Sequence, residues 1–142
     1  MNPDIPECFY RISVKALILN ESRTKFLIVE EDDGRWDLPG GGLDWNESPQ
    51  DAIKREIKEE MGLAVVSVHS NPSYFTTALT SSGKFYVANV LYETTVENFN
   101  ITPSDECVAF QFVTANEART MNIFSNVLML ANLFDPKNHT AK

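Results

Sequence analysis

The feature that most constrains the fold is a helix whose two ends are both marked in the sequence. Ser48 is a favoured N-cap residue, and Pro49 would occupy the first helical position, where no N–H is needed. Gly62 suits the left-handed conformation that commonly ends a helix. The sequence therefore predicts one helix between Ser48 and Gly62.

This helix has an apolar face and, beside it, an acidic one. The apolar face repeats every four residues, which predicts packing against a sheet. Its members are Ile53, Ile57 and Met61. Glu56, Glu59 and Glu60 fall within about 100° of arc beside that stripe. A charge run is ordinarily a solvated surface, but three neighbouring carboxylates also fit a hard divalent cation such as Mg²⁺ or Mn²⁺. The positions of these glutamates on the helix fit both a solvated acidic surface and a cation site.

The composition limits the partners of such a site. The chain of 142 residues is predicted to form one domain spanning residues 1–142, and its net charge is −8. Acidic proteins make poor nucleic-acid binders because phosphate contacts require Lys and Arg, but a bound divalent cation would admit a phosphate substrate. Two distant cysteines match no metal-binding or disulfide pattern. With no signal-like or membrane-spanning segment in the sequence, we expect a cytoplasmic protein without membrane association.

Alternating and apolar runs predict six strands around the helix. They cover residues 9–19, 26–29, 63–68, 74–79, 84–92 and 108–112. Thr114 and Glu117 form a capping-box pair that opens a short helix, and apolar residues keep helical spacing from Ile123 to Phe134. We expect no regular element in the Gly- and Pro-rich residues 36–42, and a frayed tail after Pro136. The order of elements predicts an α/β fold in which helices cover a mixed sheet.

The predicted helix and the loop before it resemble the Nudix box, whose pattern is G-x5-E-x7-R-E-U-x-E-E-x-G-U, with U aliphatic. Every specified position is filled, in order by Gly41, Glu47, Arg55, Glu56, Ile57, Glu59, Glu60, Gly62 and Leu63. The W-x-L-P-G sequence at residues 36–40 also looks like the usual lead-in to the box. The resemblance implies a Nudix-type α/β/α sandwich with a central mixed β-sheet and a catalytic loop–helix–loop.

The resemblance also implies roles for individual residues. The implied ligands of Mg²⁺, with Mn²⁺ as an alternative, are the carbonyl of Gly40 and the carboxylates of Glu56, Glu59, Glu60 and Glu106. Glu106 is included because some family members carry a further acid on the loop before a late strand. Arg55 would orient a glutamate, and Glu56 or Glu106 would be the general base. Family members hydrolyse a nucleoside diphosphate linked to another group, by attack of water at phosphorus.

Substrate contacts are predicted outside the box. The cationic candidates for phosphate contacts are Arg11, Lys15 and Lys84. Trp36 and Trp45 flank the glycine loop and suit either stacking on a nucleobase or packing in the core. For Phe75 and Phe85 we expect core packing. The acidic residues 30–33 are expected to form a solvated hairpin tip.

The activity that the resemblance implies is a divalent-metal-dependent pyrophosphohydrolase. Its substrate would be a small nucleotide derivative of the nucleoside triphosphate or nucleotide-sugar type. The alternative is a non-catalytic Nudix-like domain that senses a nucleotide or binds a partner, although such proteins usually lose box glutamates and here none is lost. Capped RNA fits poorly with the net charge of −8. We expect a monomer or homodimer that binds no long nucleic acid.

Overall fold

The computed structural model describes residues 5–140. Strands and helices follow in the order β1 (Tyr10–Leu17), β2 (Phe26–Glu30), β3 (Trp36–Asp37), β4 (Gly40–Gly42), α1 (Pro49–Met61), β5 (Val65–Val68), β6 (Tyr74–Leu79), β7 (Tyr86–Val96), β8 (Ala109–Val113), α2 (Ala115–Arg119) and α3 (Ser125–Leu133). A single 3₁₀ turn (Pro136–His139) follows α3. In the described part of the chain, no helix is long and apolar enough to span a membrane.

The strands form two sheets. In the larger sheet the order is β4-β1-β7-β5, and β6 also pairs with β7. β1 and β7 are parallel, whereas the other pairs in this sheet are antiparallel. The smaller sheet has the antiparallel order β3-β2-β8. The prediction of a mixed sheet in an α/β fold is confirmed.

Helices cover this framework on two sides, and each side has its own apolar core. Ile53, Ile57 and Met61 of α1 pack in one core with Val14 and Ala16 of β1. The other core contains Leu17 of β1 and the inward face of α3, together with residues of β2 and β7. Its largest members include Leu17, Phe26, Ile28, Leu91 and Leu130. Alternate residues of β1 thus enter opposite cores, which confirms the α/β/α arrangement.

The predicted boundaries of α1 are confirmed by its caps. The side chain of Ser48 accepts a hydrogen bond from the N–H of Asp51 at 3.1 Å. At the other end Gly62 adopts φ 68°, and its N–H donates to the carbonyl of Lys58 at 3.0 Å. These caps satisfy backbone groups that a helix end leaves without intrahelical partners. They also set where the acidic face of α1 begins and ends.

Two predictions about irregular segments are wrong. Residues 36–42 contain β3 and β4, because neighbouring strands supply the ladder partners that local propensity could not reveal. The tail after Pro136 forms the 3₁₀ turn, and His139 within it is only 3% exposed. The imidazole Nδ1 donates to the carboxylate of Glu93, Nε2 lies 2.8 Å from the hydroxyl of Tyr74, and the ring stacks on Phe134.

His139 therefore anchors the C-terminal turn to β6 and β7, and its removal has a measurable cost. We expect His139→Ala to lower the free energy of unfolding by about 2–3 kcal/mol, because two hydrogen bonds and a buried ring are lost. Urea denaturation measures this change. His69→Ala is the matched control, since His69 is exposed. Equal effects of the two substitutions would contradict the anchoring role.

Candidate metal centre and active site

Three carboxylates from two parts of the chain meet beside α1. Glu56 and Glu60 lie one turn apart on the helix, and Glu106 comes from the loop before β8. One carboxylate oxygen from each lies within 4.8 Å of the others. A set of three carboxylate oxygens fits the preference of hard divalent cations such as Mg²⁺ and Mn²⁺.

The loop that carries Glu106 is tied to the C-terminal end of α1. The N–H of Thr102 donates to the carbonyl of Met61 at 2.8 Å. The hydroxyl of Ser104 donates to the carbonyl of Glu60 at 2.6 Å. These two hydrogen bonds satisfy carbonyls that the helix end leaves free, and they bring Glu106 to the helix.

Glu60 is the most unusual of the three acids because it is only 4% exposed. Burial raises the pKa of its carboxyl, and the nearby carboxylates of Glu56 and Glu106 raise it further. The charge of Lys15 and a hydrogen bond from the N–H of Gly40 (3.1 Å to Glu60 Oε1) act in the opposite direction. Burial dominates, so this carboxyl holds a proton near neutral pH unless a cation replaces it.

Arg55 contacts the cluster through Glu56. Its Nε and Nη2 donate to both carboxylate oxygens of Glu47, at 2.8 and 2.9 Å. Its Nη1 donates to Glu56 Oε1 at 2.8 Å. The guanidinium holds the pKa of Glu47 below its usual value. Arg55 thus contacts two box glutamates, Glu47 and Glu56, and its role in orienting a glutamate stays a prediction.

The glycine loop allows the backbone to approach these side chains closely. A Cβ on Gly41 would lie 2.6 Å from the carboxylate carbon of Glu56. Gly40 has φ +133°, and a Cβ there would lie 2.2 Å from the carbonyl oxygen of Val14. A side chain at Gly40 would require a backbone shift, whereas one at Gly41 would displace the carboxylate of Glu56. Gly40 lines the same cavity as the three carboxylates.

Glu59 stands apart from the three-carboxylate group. Its side chain is 60% exposed, and Oε2 lies 3.6 Å from Arg55 Nη1. The group formed by the described residues comprises Glu56, Glu60 and Glu106. The role of Glu59 as a ligand stays a prediction.

The cavity contains residues that the sequence did not mark. Its lining comprises Val29, Glu31, Asp37, Leu38, Gly40, Gly41, Gly42, Glu56, Glu60 and Glu106. Glu31 was expected on a solvated hairpin tip, and that prediction is wrong for this residue. The hairpin is held against the Glu106 loop by the N–H of Asp32, which donates to the carbonyl of Asp105 at 2.9 Å. Burial and the charge of Asp37 raise the pKa of Glu31. No local pattern could have revealed a pairing over that sequence distance.

Lys15 lies beside residues that line this cavity and does not line the cavity itself. It was predicted as a candidate for phosphate contacts, but the residue is only 5% exposed. Its Nζ lies 3.7 Å from Asp37 Oδ2 and donates to the carbonyl of Leu38 at 3.2 Å. Lys15 lies opposite Gly40 in the pairing of β1 with β4, and its side chain is buried against residues 37–40.

The predicted substrate contacts are dispersed. Arg11 donates to the carbonyl of Leu43 at 2.6 Å and lines a groove with Trp45, which is 96% exposed. A Cβ on Gly42 would lie 2.3 Å from Arg11 Nη2, so this groove adjoins the carboxylate cavity through Gly42. Lys84 is exposed beside a separate groove at the turn between β6 and β7.

Two of the aromatic candidates also fall outside the cavity. Trp36 packs against the core under α3, and among the described residues it does not line the carboxylate cavity. Phe75 is 61% exposed on β6, so the expectation of core packing is wrong for it. Among the described strands, β6 pairs with β7 alone. The helix α1 packs over Val14 and Ala16 of β1, which leaves Phe75 on β6 exposed. Phe85 is partly buried and packs edge-on against Phe9 at 5.7 Å between ring centroids.

Comparison with known proteins identifies the family to which this chain is similar. The family model described as NUDIX domain matches residues 9–133. Over 64 residues the chain is 40% identical to a protein named "Putative 8-oxo-dGTP diphosphatase" from Bacillus subtilis (strain 168), a match covering 42% of this chain and 43% of that protein. Over 75 residues it is 36% identical to an RNA pyrophosphohydrolase from Bartonella henselae, covering 46% of this chain and 43% of the relative. The chain thus spans less than half the length of these curated relatives.

A solved structure extends the similarity over nearly the whole chain. The MutT protein from Methanosarcina mazei Go1 superposes with a TM-score of 0.76 at 25% sequence identity. The alignment covers 95% of this chain and 99% of that protein. The fold is therefore shared well beyond the box residues.

The burial of Glu60 has a consequence for stability in the absence of a cation. Its raised pKa means that the folded state binds the proton more tightly than the unfolded chain, so stability falls as pH rises above about 4.5, the value of the unfolded carboxyl. We expect Glu60→Gln to be more stable than the wild type at pH 8 in EDTA, by about 1 kcal/mol or more, and equal to it near pH 4. Thermal unfolding across this pH range measures the difference.

Glu59→Gln is the matched control because it removes the same charge from an exposed position on the same helix. We expect its stability difference from the wild type to change little between pH 4 and pH 8. A Glu60→Gln variant that is less stable than the wild type at pH 8 would show that the buried carboxylate is satisfied without a cation.

Proposed function

The chain belongs to the NUDIX domain family, and from that premise we propose that it is a divalent-cation-dependent pyrophosphohydrolase. Its substrate would be a nucleoside diphosphate linked to another group. The observation that carries this proposal is the convergence of Glu56, Glu60 and Glu106, with Glu60 buried. Buried carboxylates that share one cavity are stable together only if protons or cations offset their charge.

In this proposal the three carboxylates, with the carbonyl of Gly40, hold Mg²⁺, and Mn²⁺ suits the same oxygens. Such a cation, when bound, would polarise phosphate oxygens, lower the pKa of a bound water and offset charge on the leaving phosphate. Gly40 donates its N–H to Glu60, which leaves its carbonyl for the cation and for Lys15. Glu59, more exposed, would assist at the edge of the cluster.

Arg55 supplies the geometry for proton transfer. It occupies Oε1 of Glu56 with a hydrogen bond of 2.8 Å, which leaves Oε2 to accept a proton from the attacking water. Glu106 is the second candidate for the base, since it is exposed and comes from a loop rather than from the helix. The bidentate contact with Glu47 keeps the guanidinium from turning away from Glu56.

The rest of the substrate would lie toward the groove that contains Arg11. This groove carries a cation next to exposed aromatic side chains, Tyr10 and Trp45, which suits a phosphate followed by a base. Lys84 and Trp36 are proposed only as secondary contacts, because neither lines the cavity or this groove.

For the substrate class, we propose a nucleoside triphosphate or a nucleotide sugar. The relative named for 8-oxo-dGTP supports the triphosphate. Relatives named RNA pyrophosphohydrolase favour a second candidate, the 5′ end of an RNA. The net charge of −8 disfavours contact with a long RNA, but a 5′ end would need only the site itself. A domain that binds nucleotides without turnover is the remaining alternative.

The experiment is a substrate panel with Mg²⁺, with Mn²⁺ and with EDTA. It contains nucleoside triphosphates including 8-oxo-dGTP, nucleotide sugars, and a short RNA with a 5′-triphosphate. We expect cation-dependent release of phosphate or pyrophosphate products, and a loss of about 10²-fold or more in Glu56→Gln and Glu59→Gln. Glu97→Gln, on an exposed residue after β7, is the charge-matched control.

The outcomes separate the candidates. Turnover in EDTA equal to that in Mg²⁺ would contradict a metal-dependent enzyme. Tight nucleotide binding without any turnover would favour the non-catalytic domain. Full activity in Glu59→Gln would exclude Glu59 from the machinery while leaving the three-carboxylate site in place.

A further inference from the structure

Lys15 is a buried ammonium at a position where an apolar side chain would pack at less cost. It is 5% exposed on β1, and its neighbours Val14 and Ala16 are fully buried apolar residues. Taking an ammonium out of water costs several kcal/mol unless it is paired and hydrogen-bonded. A buried lysine beside a cavity of carboxylates therefore requires a role that a hydrocarbon cannot fill.

The contacts of Lys15 converge on the segment that leads into the glycine loop. Its Nζ donates to the carbonyls of Leu38 at 3.2 Å and Gly40 at 3.5 Å, and lies 3.7 Å from Asp37 Oδ2. The ammonium thus ties three positions of residues 37–40 to β1. Two of its N–H donors have carbonyl acceptors, and the carboxylate of Asp37 lies at ion-pair distance, so the ammonium holds the loop through these contacts.

The fit between Lys15 and Gly40 is close along the side chain as well. A Cβ on Gly40 would lie 2.8 Å from Lys15 Cα and 3.1 Å from Lys15 Cδ. The glycine and the lysine chain therefore occupy complementary space. Gly40 in turn donates its N–H to Glu60 Oε1 at 3.1 Å. A continuous series of contacts runs from Lys15 through Gly40 to Glu60.

We propose that Lys15 is a positioning residue for the cation site, which acts by holding the Gly40 peptide in place. In this role the carbonyl of Gly40 stays directed at the cavity, and its N–H keeps Glu60 in one orientation. Asp37 lies 3.7 Å from the ammonium and pairs with it, although the charge of Lys15 also acts on Glu60. The inference rests on the proposed function, since it assigns Lys15 to the same site.

A positioning role and a role of charge alone predict opposite effects on cation affinity. If Lys15 acted only as a nearby positive charge, its removal would strengthen the binding of a divalent cation. If it positions Gly40 and Glu60, its removal weakens binding despite the lost repulsion. Residues that orient metal ligands typically change affinity by about 10- to 100-fold when removed.

The test measures Mn²⁺ binding to the full chain without nucleotide. Binding is monitored by calorimetry and by the electron paramagnetic resonance of free Mn²⁺. We expect Lys15→Met to bind Mn²⁺ at least about tenfold more weakly than the wild type. kcat should fall by a similar factor, with little change in KM. Lys54→Met is the matched control because it removes the same charge from the exposed face of α1. Its affinity should stay within about twofold of the wild type.

Lys15→Arg keeps the test decisive if Lys15→Met fails to fold. Arginine preserves the charge but places its planar donors differently. Weaker Mn²⁺ binding in Lys15→Arg supports positioning, whereas wild-type affinity overturns it. Unchanged or tighter binding in a folded Lys15→Met variant also overturns it.

Failure of the inference and of the proposed function are distinguishable. A substrate panel without turnover refutes the enzyme but leaves the Mn²⁺ affinities as a test of Lys15. Wild-type Mn²⁺ affinity in Lys15→Met refutes the inference but leaves the enzyme in place. A wild-type protein that binds no Mn²⁺ overturns both.

Discussion

The mutual repulsion of carboxylates in one cavity is the constraint on which the site depends. Glu56, Glu60 and Glu106 bring oxygens within 4.8 Å of one another, and Glu60 is almost fully buried. Two charges at about 4 Å repel by roughly 4 kcal/mol where the effective dielectric constant is about 20. This repulsion adds to the larger effect of burying Glu60, and together they lower stability in a chain without a cation. The closely spaced carboxylates thus both lower the stability of the cation-free protein and provide the ligands of the proposed cation site.

The surrounding fold holds the carboxylates in place against this repulsion. The apolar stripe of α1 is buried in the core, which sets the direction of Glu56 and Glu60. Ser104 ties the Glu106 loop to the end of the helix, and Arg55 holds Glu56 from outside. These restraints come from apolar packing, backbone hydrogen bonds and one guanidinium.

Local patterns in the sequence predict the parts of this site that lie within one helix. Caps at Ser48 and Gly62 set the ends of α1, and the four-residue repeat sets its buried face. The box resemblance supplied Arg55 and the glutamates, and the position of Glu106 before a strand was enough to propose it. The predicted ends and buried face of α1 are confirmed because i, i+3 and i+4 neighbours are fixed by helix geometry. The roles of Arg55, the glutamates and Glu106 in the site stay predictions.

The residues that the sequence did not reveal are those brought in by pairing between distant strands. Glu31 reaches the cavity because its hairpin lies against the loop of Glu106, and Asp37 lies on a two-residue strand. Lys15 was predicted as a candidate for phosphate contacts, but it lies opposite Gly40 of β4 and its ammonium contacts residues 37–40 instead. The tail was expected to fray because it is polar, yet His139 has a buried partner in Glu93. Propensity and periodicity do not contain this long-range information.

The most direct test of the account is whether cation binding displaces a proton from Glu60. Calorimetric titration with Mn²⁺ in buffers of different ionisation enthalpy measures the protons released. We expect saturable binding with release approaching one proton near pH 7, declining as the pH rises through the raised pKa of Glu60, about 9, and absent in Glu60→Gln. Saturable binding without proton release, or the same release from Glu60→Gln, would contradict it.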